Sequence, residues 1–131
     1  MQKLILTVLK DTFAICKLPS HSPIPNWLTF TNSKFVSITK TEEELSIVCD
    51  QSIIPDQLKD SSIVKNWRTI KVEGPLDFSL TGILSAMLQP LAEQKISIFA
   101  LSTYDTDYLL IQEDDLARAI EVLRLQYIVN D

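Results

Sequence analysis

The residues of this 131-residue chain best placed to do chemistry gather in its second half. Its only two glycines, Gly74 and Gly82, flank a short segment that carries Asp77, Ser79 and Thr81. Glycine lets a backbone come close to another group. The segment runs into an apolar stripe of helical spacing, and a helix start presents unpaired N–H groups and partial positive charge, which suits a carboxylate. Ser79 and Thr81 could add hydroxyls, and Ser79 could equally serve as an N-cap. Asp77, Asp105 or Asp107 would complement an ammonium, and a spare carboxylate would pair with a guanidinium in charge-assisted fashion, with Asp107 the first choice. Each feature also has a plainer reading. Gly74 with Pro75 makes a tight turn by itself, and Asp105 and Asp107 are residue types that bond nearby backbone in turns.

Other chemistries find little support. His21 is the single histidine, set in a loop far from Cys16 and Cys49, so no spacing suggests a metal site. The two cysteines lie in apolar segments, as buried free thiols do. No Gly-x-Ser-x-Gly, Cys-His or phosphate-loop pattern occurs. Asp114 and Asp115 sit where a helix start favours negative charge, which is a capping role rather than acid–base catalysis. The expectation is no catalytic residue, no metal and no cofactor. A net charge of −5 without a basic, aromatic-interleaved cluster argues against nucleic acid. No apolar run of about 18 to 20 residues predicts a membrane span, and the apolar start lacks the features of a signal peptide, so the expected location is the cytoplasm.

The elements that must position the glycine segment are clear in the second half. Residues 68–73 read as a strand. From Ser79 a helix is predicted, because Leu80, Ile83, Leu84, Met87, Leu88 and Leu91 wind with a 3.6-residue period, and Pro90 should bend its last turn so that it ends by Gln94. ISIFALS and YLLIQ form a hairpin around the turn-rich STYDTD. A helix opened by Glu113, Asp114 and Asp115 carries Leu116, Ala119, Ile120 and Leu123 inward, and residues 127–129 could add a last strand. The order β-α-β-β-α-β is that of a ferredoxin-like module, a four-stranded antiparallel sheet with two helices on one face.

The first half is less regular. LILTVL and TFAICKL around Lys10 and Asp11 suggest a hairpin or a bent edge strand, residues 19–29 hold three prolines and read as a loop, and FVSITK with LSIVC suggests a hairpin around the tip at residues 41–44. Residues 50–59 could make one or two helical turns, and residues 60–67 are the candidate junction. A weak internal repeat relates FVSITKTEEELSIVCDQSIIPDQL to ISIFALSTYDTDYLLIQEDDLARAI, with a period of about 60 residues. The chain is thus read as α+β, with a degenerate module over residues 1–65 and a complete one over 66–131. Trp27 and Trp67, near the proline loop and the junction, are read as packing between the two modules.

Two strings carry a family likeness: VEGPLDFSLTG, residues 72–82, and ISIFALSTYDTDY, residues 96–108. Together they resemble the second module of small bacterial tandem ACT proteins and the CASTOR-type arginine-sensing ACT proteins of animals. The resemblance implies two ACT modules side by side, binding without catalysis, and an amino-acid ligand, arginine among the possibilities, at a seam between modules. Carried over residue by residue, Gly82 and Ile83 would offer backbone to the ligand, and Thr103, Tyr104 and Asp107 would hold its side-chain end. The animal sensors have four modules where this chain has two, so a comparable seam could require a second chain, and a homodimer is expected. The competing expectation is a ligand-free dimerisation scaffold built from paired sheet edges.

Overall fold

The computed structural model describes residues 4–31, 33–58, 62–74, 76 and 82–131. It divides the chain into two compact units, one made of Met1–Lys10 with Trp67–Asp131 and the other of Asp11–Asn66. The first of these units is discontinuous in sequence, with the start of the chain grouped with its second half. Two long strands, β1 (Ile5–Leu18) and β4 (Ile63–Val72), contribute residues to both units.

In the unit formed with Trp67–Asp131, the sheet order is β7 (Ile128–Asn130), β1, β4, β6 (Asp107–Gln112), β5 (Ile98–Ser102). The β-α-β-β-α-β order from β4 onward is as expected, but the four-stranded sheet becomes five-stranded. The first residues of β1 enter between β4 and β7, and β7 runs parallel to β1 with Ile5 opposite Ile128. Pairs β4–β6 and β5–β6 are antiparallel, in registers that include Ile70↔Leu109 and Ser102↔Asp107. Both helices, α1 (Ile83–Glu93) and α2 (Leu116–Leu123), pack on one face of this sheet. Alternate strand residues Leu6, Val8, Ile70, Val72, Leu109 and Ile111 meet Met87 and Leu91 of α1 and Ala119, Ile120 and Leu123 of α2 in one core. The alternation supplies the apolar face of the sheet and the 3.6-residue period supplies the stripes.

Helix α1 starts later than the stripe suggests. Its N-cap is Gly82, in the left-handed region with φ 75°, and residues 77–81 lie outside the described residues. It runs through Pro90 and stops where Lys95 turns left-handed (φ 60°) and the Ile96 N–H returns to the Leu91 carbonyl at 3.0 Å. Glu113, Asp114 and Asp115 form a 3-10 turn that leads into α2.

Within Asp11–Asn66 the sheet is β2 (Ser37–Lys40), β3 (Leu45–Asp50) and the later residues of β1, all antiparallel. The hairpin at residues 41–44 is present, its tip closed by the Thr41 hydroxyl, which accepts from the N–H groups of Glu43 and Glu44. Of the two readings of the first residues, a hairpin or a bent edge strand, the hairpin is absent: Lys10 and Asp11 lie within one continuous strand. No glycine or proline accompanies them to set a tight turn, and pairing with neighbouring strands holds the backbone extended. Residues of the proline loop, Trp27 and Leu28, pack on Cys16, Ile47 and Cys49, covering the sheet face as a helix would. The stretch after β3 makes one 3-10 turn, Gln51–Ile53, capped by the Asp50 carboxylate.

Cys16 and Cys49 are buried free thiols. A hydrogen bond from Cys49 lowers the Cys16 pKa against the opposing effect of burial, and the same bond together with burial raises that of Cys49. Trp67 is buried and tilts against Phe99 at 6.3 Å between ring centroids. Among the described residues no helix is long and apolar enough to cross a membrane, and no group of three or more His, Cys, Asp or Glu could hold a metal ion.

At the end of β4, a hydrogen bond from Thr7 and then the Lys71 ammonium, 3.4 Å away, hold the Glu73 carboxyl below its ordinary range. A carboxyl lowered in the folded state adds stability above its unfolded value, and that contribution disappears as pH falls through the folded value. Urea midpoints of the native protein and Glu73→Gln should therefore differ above about pH 4.5, the ordinary value, and converge below it. Glu73 is partly exposed, so the difference should be small.

Candidate ligand-binding site

The turn between β5 and β6 is held by its own side chains. The Thr103 N–H donates to the Thr106 carbonyl at 2.8 Å, and the Thr103 hydroxyl both donates to that carbonyl (3.2 Å) and accepts from the Thr106 N–H (3.3 Å). Thr106 is buried, and its hydroxyl donates to the Val72 carbonyl at 2.6 Å, fastening the turn to the end of β4. A second fastening runs from the Leu76 N–H to the Asp105 carbonyl at 2.7 Å.

This contact explains Gly74. A Cβ there would lie 3.0 Å from the Asp105 oxygen, 3.0 Å from the Leu76 nitrogen and 3.2 Å from the Thr106 Cβ. Two of the three are backbone atoms that cannot swing aside. Gly74→Ala is therefore expected to cost roughly 1–3 kcal/mol by overpacking, measurable by urea denaturation. A stability within 0.5 kcal/mol of the parent, taken as the ordinary surface range, would show that the turn yields without strain. Gly82 is needed for a different reason. A Cβ there would meet only Ser85 Oγ at 3.9 Å, but φ of 75° is a conformation that L side chains rarely adopt.

Between the fastened turn and the start of α1 lies a cavity of about 280 Å³ lined by Leu76, Gly82, Ile83, Leu84, Ser102, Thr103, Tyr104, Asp105, Thr106 and Asp107. Its size is near the lower end of small-molecule sites, roughly 300–1,000 Å³. The first helical bond of α1 is the one from Ala86 N–H to Gly82 O, so the amides of Ile83 and Leu84 belong to the set that a helix start leaves without helical acceptors. The same lining includes Asp105 and Asp107, its charged residues among the described residues. Asp107 is half-buried and accepts a 2.5 Å hydrogen bond from Ser102 Oγ. The arrangement pairs donors with negative side chains, which is complementary to a zwitterion bearing a further cationic group.

Of the residues singled out in the sequence, Gly82, Ile83, Thr103, Tyr104 and Asp107 line this one cavity, and Asp77, Ser79 and Thr81 lie outside the described residues. The Thr103 hydroxyl is engaged within the turn, so its main service is to shape the tip. Tyr104 stands at the cavity with 82% of its surface exposed. Leu76, Leu84, Ser102 and Thr106 were not anticipated. Ser102 was readable in principle, since closing β5 and β6 around residues 103–106 places it opposite Asp107.

A model of the ACT domain matches residues 62–124, and a second family model, of an N-terminal domain, matches residues 11–57. The human protein named Cytosolic arginine sensor for mTORC1 subunit 1 is 36% identical over 110 residues, which are 80% of this chain and 32% of that protein. The chain thus spans about a third of the length of that relative. The human Putative protein CASTOR3P is 32% identical over 109 residues, 76% of this chain and 67% of that protein. The crystal structure of a protein from Agobacterium tumefaciens superposes with a TM-score of 0.86 at 32% identity, covering 100% of this chain and 96% of its own. The chain therefore belongs to the ACT-domain family, as a small ACT-domain protein similar to the CASTOR-type proteins.

Proposed function

We propose that this protein is a regulatory amino-acid sensor that binds its ligand in the cavity between the start of α1 and the β5–β6 turn. The ligand's α-carboxylate meets the amides at Gly82 and Ile83, and its cationic end meets Asp107, with Tyr104 at the rim. A basic amino acid such as arginine fits that charge distribution. The observation that carries the reading is the convergence, in one cavity, of a helix start with a fastened turn that presents two carboxylates. Binding without catalysis accords with the arginine-sensor name of the relatives and with the absence of catalytic motifs in the sequence. We also read the chain as two ACT-type modules, divided near residues 65 and 66, in a cytoplasmic protein. The matches of separate family models to residues 11–57 and 62–124 support that division.

A thermal-shift screen of the twenty amino acids at millimolar concentration tests the proposal. A ligand that binds only the folded state raises stability by RT ln(1 + [L]/Kd), about 2.7 kcal/mol at one hundred times Kd. If a verified folded sample shows no rise with any amino acid, the sensor reading fails.

The second reading, a dimerisation scaffold, draws on edge strand β7, where the paired Ile5 and Ile128 are 40% and 48% exposed. Size-exclusion chromatography with light scattering separates the two. In the scaffold reading the protein is a dimer whose association is indifferent to amino acids and to Asp107→Ala or Gly82→Val.

A further inference from the structure

We infer that Ser102 is a positioning residue that aims the Asp107 carboxylate and so sets how strongly the cavity prefers a cationic over a neutral ligand end; this rests on the ligand reading given above. Ser102 closes β5 and Asp107 opens β6, and the two face each other as the last pair of the hairpin register. The Ser102 hydroxyl donates to Asp107 Oδ1 at 2.5 Å, within the range of a charge-assisted hydroxyl–carboxylate bond. A hydroxyl has one proton to give, so this bond commits it to the carboxylate.

The turn that joins the pair is itself immobilised. The Thr103–Thr106 bonds close it, while Thr106 to Val72 and Leu76 to Asp105 tie it to the end of β4 and the residues that follow. With the backbone held, the χ angles of Asp107 are the freedom left to its carboxylate, and the Ser102 bond restricts them. Among the described residues Asp107 has no ion-pair partner, and no Lys or Arg lines the cavity. A ligand cation would therefore be its counter-charge, and the strength of that contact would depend on where the carboxylate points.

The experiment is titration calorimetry of the full chain with arginine and with citrulline, which replaces the guanidinium by a neutral urea group of similar shape. The native protein should prefer arginine. Ser102→Ala should weaken arginine about tenfold, the size expected for losing a hydrogen bond to a charged group, and change citrulline less than twofold. Ser102→Thr, which keeps the hydroxyl, should restore most of the preference. Asp107→Asn should abolish it, and adding Ser102→Ala to that variant should change little more, because both substitutions act through one carboxylate.

Equal weakening of arginine and citrulline in Ser102→Ala would reduce Ser102 to a structural residue and overturn the inference. So would unchanged arginine affinity in that variant, or failure of Ser102→Thr to recover it. If the native protein binds neither ligand, the cavity reading itself fails and the role of Ser102 falls with it. That result is distinct from a native protein that binds while Ser102→Ala has no effect.

Discussion

Asp107→Asn should weaken binding of a basic amino acid about 10- to 100-fold while leaving the stability of the unliganded protein nearly unchanged. In the proposed binding mode, the substitution removes the half-buried carboxylate that would meet the ligand's cation. Truncating one side of such a pair leaves the other charge without its partner, at a cost of several kcal/mol when fully desolvated and less at a half-open site. A 10- to 100-fold loss corresponds to about 1.4–2.8 kcal/mol. The stability expectation rests on the local bonding: the asparagine oxygen can still accept from Ser102, and among the described residues Asp107 has no ion pair to lose. Calorimetry with arginine and a thermal melt of the unliganded protein check both halves. Equal affinities would remove Asp107 from the site, and a large fall in melting temperature would make it a structural residue.

Met87→Ala should have the largest effect on stability, about 2–5 kcal/mol. Met87 is wholly buried on the face of α1 that meets Leu6, Ile70 and Leu109 from the sheet and residues of α2. Truncation removes apolar contacts from both layers and leaves a cavity that the sheet, tied by its ladders, cannot collapse to fill. For a domain of this size the melting temperature should fall by on the order of 10 °C. A loss below about 1 kcal/mol would mean that α1 is not seated on the sheet as described, and the position of Gly82 and Ile83 at the cavity would go with it.

Much of the second half was legible because its signals are short-range. The stripe through Met87 and Leu91, the alternation of ISIFALS and YLLIQ, and the acids before Leu116 each report a local period or a cap. The structure places an element at each. The cavity was legible in part for the same reason, since Gly82 and Ile83 start a helix and Thr103, Tyr104 and Asp107 belong to one hairpin end. The role of Gly74 was only half visible. Its neighbours in sequence show a turn, whereas the contact that excludes a side chain comes from Asp105 and Thr106, some thirty residues away.

By itself the sequence determined an α+β chain, the hairpins at residues 41–44 and 103–106, the two amphipathic helices of the second half, and the acidic character of the candidate site. These follow from periodicity and turn chemistry, which act within a few residues. Only the tertiary structure decided that β1 runs unbroken through Lys10 and Asp11, that its first residues fill a sheet position between β4 and β7, and that Thr106 and Leu76 fasten the turn beside Gly74. Strand partners and buried hydrogen bonds join residues far apart in the chain. Their selection depends on the free energy of the whole packed unit, which no local pattern of residue types encodes.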